Sequence, residues 1–138
     1  MVGMPYDIKF RFNPSSTRSK KVLGPLEAEI MDIIWEQGPS TVATVRRVLR
    51  DRKDIAYTTV MTTMSRLAKK KLLIQDTSSS SYVYTPAISR QDFERYVCTW
   101  IIRGLLEDYG AAVIDYFMDA IADAGPSLQE QLRSIVCR

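Results

Sequence analysis

The sequence predicts a mainly α fold with a small β-hairpin: three helices, the hairpin, then three further helices. Three observations carry this expectation. Apolar residues recur at helical spacing in six separate stretches. The pairs Gly24-Pro25, Gly38-Pro39 and Gly125-Pro126 punctuate those stretches. Between the third and fourth, the β-forming runs Leu72-Leu73-Ile74 and Tyr82-Val83-Tyr84-Thr85 flank a polar segment centred on Ser78 to Ser81.

Residues 1–22 mix a Pro-Ser-Ser-Thr stretch with Lys and Arg and lack periodicity, so they read as a flexible basic arm. Gly24-Pro25 opens the first helix, where a missing N–H costs nothing. Leu26, Ile30, Ile33 and Ile34 form its buried stripe, Trp35 reads as core, and Gly38-Pro39 stops it. Ser40 or Thr41 can cap a second helix whose apolar positions are Val42, Val45, Val48 and Leu49. Arg46, Arg47 and Arg50 lie off that stripe, and Asp51 to Ile55 form a short polar link. In the third helix Val60, Met64 and Leu67 face inward.

After the hairpin, Ser89 with Asp92 starts a fourth helix carrying Phe93, Val97, Trp100, Ile101 and Leu105 along one face. Gly110 ends it. Val113, Phe117, Ala120 and Ile121 line a fifth, and Ser127-Leu128-Gln129-Glu130 is a capping box for a short sixth. Three helices followed by a hairpin is the order of a winged helix-turn-helix, expected over residues 23–87. Residues 88–138 then form a three-helix domain of about fifty residues, a size at which a lone core is marginal. Its large apolar side chains need a partner, and a second copy of the same segment supplies one. Phe93, Val97, Trp100, Ile101, Leu105, Val113, Phe117 and Ile121 are the expected dimerisation residues. Cys98, close to that stripe, is expected to be a small buried hydrophobe.

Composition narrows the chemistry. There is no His and only two Cys, Cys98 and Cys137, so a metal site and His-based catalysis are excluded. No convergent acids and no glycine-rich phosphate loop occur, so neither a catalytic residue nor a cofactor is expected. No run approaches a membrane span, and no signal peptide is evident, which makes the cytoplasm the expected compartment. The net charge of +3 is unevenly spread. Residues 1–22 hold five basic side chains against one acidic, whereas residues 77–138 hold five against eight. A basic front and an acidic back direct a polyanion to the front.

The third helix says which polyanion. Wound at about 100° per residue, it gathers Thr58, Thr59, Thr62, Ser65, Arg66 and Lys69 opposite the apolar stripe. Solvated helix faces usually carry Glu, Lys, Gln and Ala, since Thr and Ser are poorer helix formers. Hydroxyls, a guanidinium and an ammonium without a carboxylate can donate to phosphates and base edges. This face is suited to a DNA major groove. Tyr57 and Lys70 at its ends, Ser40 and Thr41 at the start of the second helix, and Ser79 at the hairpin tip complete the expected contacts. The competing reading, a winged-helix adaptor for another protein, calls for an apolar patch or acidic residues on that face.

Leu23-Gly24-Pro25-Leu26-Glu27-Ala28-Glu29-Ile30-Met31, then Ala56-Tyr57-Thr58-Thr59-Val60-Met61-Thr62, then Arg66-Leu67 and Lys69-Lys70-Lys71-Leu72-Leu73 resemble the penicillinase-repressor (BlaI/MecI) family. The likeness is close over residues 23 to about 86 and looser in the helical tail. It implies a cytoplasmic homodimer that represses transcription at a palindromic, inverted-repeat operator in double-stranded DNA. It also implies a partner sensor-protease system that relieves repression by cutting an Asn-Phe bond in the tail. The corresponding bond here is Tyr116-Phe117, without the Asn. The Cys-x-Cys cluster of the copper-responsive branch has no counterpart, Cys137 standing alone near the end.

Overall fold

A computed structural model describes residues 11–137. The expected arm falls partly outside them, since positions 1–10 are not described. Elements follow in the order α1 (Pro25–Gln37), β1 (Ser40–Thr41), α2 (Val42–Arg50), α3 (Tyr57–Lys69), β2 (Leu73–Asp76), β3 (Val83–Pro86), α4 (Arg90–Tyr109), α5 (Ala112–Ala124) and α6 (Pro126–Val136). The chain divides into two compact units, one reaching Val97 and one beginning at Cys98.

In the first unit, α1, α2 and α3 pack around Ile30, Met31, Ile34, Val45, Leu49, Val60, Met64 and Leu67, all essentially inaccessible. Each comes from an apolar stripe at helical spacing, so burial follows the sequence period. The hairpin β2–β3 adds Leu72, Leu73 and Tyr84 to this core. Strand β3 is central, with Gln75 of β2 on one side of Tyr84 and Ser40 of β1 on the other. This is a winged helix. The two-residue strand β1 leaves no periodic signal, and the sequence marks Ser40 and Thr41 for capping and phosphate contact rather than for a strand.

Thr41 does cap α2: its Oγ1 accepts from the Thr44 N–H at 3.2 Å. Arg46 pins the link to α3 by donating from Nε to the Ile55 carbonyl at 3.0 Å. Helix α3 ends in a Schellman motif, with Lys71 N–H on Ala68 O and Leu72 N–H on Leu67 O, each at 3.0 Å. The residue in the left-handed position is Lys71, at φ 67°, where glycine is usual.

Several expectations are corrected. Residues 18–21 of the arm form a 3-10 turn, Val22 is buried, and Arg18 pairs with Glu94 at 2.8 Å. Glu94 both accepts from and attracts the Arg18 guanidinium, raising its pKa. Phe93 and Val97, expected in a dimer interface, are buried within the first unit. The Phe93 ring lies 5.3 Å from that of Trp35, whose indole N–H donates to the Ile88 carbonyl at 2.9 Å. The first two turns of α4 therefore complete the winged helix rather than begin the next domain.

Within the second unit, α5 and α6 pack on each other, and Gln129 Nε2 donates to the Ala122 carbonyl at 3.1 Å. Ile121 is the one buried apolar side chain among its described residues. Ser127 does not form the expected capping box. Pro126 occupies the first turn, Gly125 is the N-cap at φ 110°, and no side-chain cap is made. Cys98, expected to be buried, is exposed, as is Cys137. Among the described residues no helix is long and apolar enough to cross a membrane.

Candidate nucleic-acid interface

Helix α3 rests its buried face, Val60, Thr63, Met64 and Leu67, on the core. The Thr63 hydroxyl is satisfied there by donating to the Thr59 carbonyl at 2.8 Å. Opposite this face Thr58, Thr59, Thr62, Arg66 and Lys69 are exposed, and Ser65 is half-buried. Arg66 and Lys69 enter none of the ion pairs among the described residues, so both charges are available. The face carries no carboxylate along the whole of α3.

The wing closes one side of this surface. Met61, Thr62, Ser65, Arg66 and Lys69 of α3 and Gln75, Tyr82 and Tyr84 of the hairpin line an open groove of about 390 Å³. At its floor the buried Tyr84 hydroxyl accepts from Gln75 Nε2 at 2.8 Å and lies 3.4 Å from Ser65 Oγ. At the wing tip the Asp76 carboxylate accepts from the Ser78 N–H at 2.9 Å, and the Ser78 hydroxyl first, then this N–H, hold it below the usual carboxylate range. Ser79, expected to contact DNA, is exposed but donates its hydroxyl proton to the Ser81 carbonyl at 2.7 Å.

Two expected contacts are internal instead. Ser40 is 4% exposed, and its hydroxyl donates to the Gly38 carbonyl at 2.9 Å. Lys70 reaches Glu27 at 2.7 Å in a pair whose side chains are 33% and 11% exposed. Glu27 is buried in the first turn of α1, so Lys70 serves the fold. Tyr57, expected to contact DNA, is 45% exposed.

The sequence reading missed Met61, Gln75 and Tyr82. Met61 is 41% exposed; at about 100° per residue it flanks Ser65 on the side away from Arg66, a placement its spacing already allowed. Gln75 and Tyr82 had no such signal, because only strand register brings them beside α3. Arg47 and Arg50 are also exposed in the last turn of α2, the helix that crosses the backbone in helix-turn-helix proteins.

Comparison with known proteins identifies the family. The penicillinase repressor family matches residues 23–138. The transcriptional regulator BlaI of Mycobacterium tuberculosis is 34% identical over 124 residues, covering 82% of this chain and 84% of the relative. Solved neighbours include the DNA-binding domain of the repressor BlaI, at 28% identity and TM-score 0.46, covering 51% of this chain and 85% of that one. The monomeric form of Bacillus licheniformis BlaI in complex with the blaP half-operator has the same identity and coverage, with TM-score 0.44. The family and the curated relatives are transcriptional regulators rather than enzymes. By a match that runs from Leu23 through both units, this chain belongs to the penicillinase repressor family.

Proposed function

We propose that this chain is a homodimeric transcriptional repressor that holds an inverted-repeat operator in double-stranded DNA through α3. The observation that carries this is the outer face of α3, free of carboxylates, with Thr58, Thr62, Arg66 and Lys69 exposed. Threonine hydroxyls suit phosphate oxygens and base acceptors, and a guanidinium suits the O6/N7 edge of guanine. The Met61 thioether and the threonine methyls offer apolar contact to thymine methyls. Thr41 at the start of α2 and the exposed Tyr57 extend the contact to phosphate.

The second copy is supported by the second unit. Trp100, Leu105, Leu106, Ile114, Phe117 and Met118 are all at least 36% exposed there. So much apolar surface in a unit of about forty residues calls for a covering partner. A two-fold pair presents two copies of α3, matching a palindrome. Occupied operator then excludes other proteins from the same base pairs. Relief of repression by cleavage at Tyr116-Phe117 is the companion proposal; both side chains are more than half exposed, inside α5.

Selection of bound duplexes from a random pool at stated salt tests the proposal. A palindromic consensus is expected, with affinity falling steeply as salt rises, because bound phosphates release counterions. Failure to bind any duplex in dilute buffer overturns it.

A further inference from the structure

We infer that Tyr84 is a positioning residue that fixes the hydrogen-bond direction of Ser65, so that Ser65 meets DNA as a donor. This rests on the DNA-binding reading of α3. A phenol has one proton to give. Gln75 Nε2 donates to the Tyr84 oxygen at 2.8 Å, which leaves that proton free to point at Ser65 Oγ, 3.4 Å away. With Ser65 accepting from Tyr84, its own proton turns outward into the groove lined by Thr62, Arg66 and Lys69. There it suits an acceptor on a base edge: guanine O6 or N7, or thymine O4.

Two features favour this direction. Thr63 gives its proton to the carbonyl four residues back, but Ser65 makes no such bond. The Tyr84 ring is 1% exposed, on the central strand, with Gln75 and Ser40 as its cross-strand neighbours, so the phenol cannot follow a rotating serine. The chain Gln75–Tyr84–Ser65 thus ties the wing to the reading helix through one oriented serine. Without the phenol, Ser65 is free to rotate or to bond its own helix.

Affinities of the full-length chain for its selected duplex and for a random duplex of equal length test this. Tyr84→Phe should weaken the selected duplex about three- to tenfold and leave the random duplex unchanged. In a Ser65→Ala background the same substitution should have no further effect. Gln75→Leu, on an exposed residue, should show the same coupling to Ser65 and serves if Tyr84→Phe melts early. Equal loss on both duplexes, or full additivity with Ser65→Ala, overturns the inference while the functional proposal stands. No binding by the unaltered chain to either duplex removes the functional proposal instead.

Discussion

Three adjacent lysines at the end of α3 have three different fates. Lys69 is exposed and enters no ion pair among the described residues, Lys70 neutralises the buried Glu27, and Lys71 sits in a left-handed backbone position. Lys69→Ala should weaken binding to all duplexes and reduce the salt slope by about one, read from affinities across a salt series. Lys70→Ala should leave that slope unchanged but destabilise the fold by roughly 1–3 kcal/mol, because Glu27 loses its partner. Urea denaturation checks this. Lys71→Gly should stabilise by roughly 0.5–1 kcal/mol through relief of the left-handed strain; no gain in midpoint would count against the Schellman reading.

At the scale of elements, the wing and α5 show what local chemistry permits. The tip turn depends on the Asp76 carboxylate accepting from Ser78. Its pKa is lowered in the fold, so the stabilisation is present above the unfolded value and lost as pH falls through the lowered one. Amide signals of Ser78 should therefore shift only in acid, and Asp76→Ala should abolish that titration. In α5, Tyr116 and Phe117 have exposed side chains on a helical backbone. A protease needs an extended strand, so cleavage there requires the turn to unwind first. Ala120→Gly, which loosens α5 without altering the Tyr116-Phe117 bond, should speed limited proteolysis, and mass spectrometry of the fragments locates the cut.

For the whole molecule the proposed dimer rests on the exposed apolar surface of the second unit. Phe117→Asp should convert a light-scattering dimer into a monomer and remove the preference for a palindrome over a half-site. Wild-type chain sizing as a monomer at micromolar concentration would end the dimer proposal. The six helices, the core stripes of α1 to α3 and the bare-of-acid face of α3 were legible in the sequence. Those are properties of neighbours along the chain, and helical period alone sorts Val60, Met64 and Leu67 from Thr58, Thr62 and Arg66. Tertiary structure alone decided that Lys70 and Ser40 turn inward, that Phe93 and Val97 belong to the first core, and that Gln75 and Tyr84 stand beside Ser65. Partners remote in sequence decide these placements, Glu27 for Lys70, the strand pairing with Tyr84 for Ser40, Trp35 for Phe93 and Ser65 for Tyr84, and no spacing rule encodes a contact made only when the chain closes.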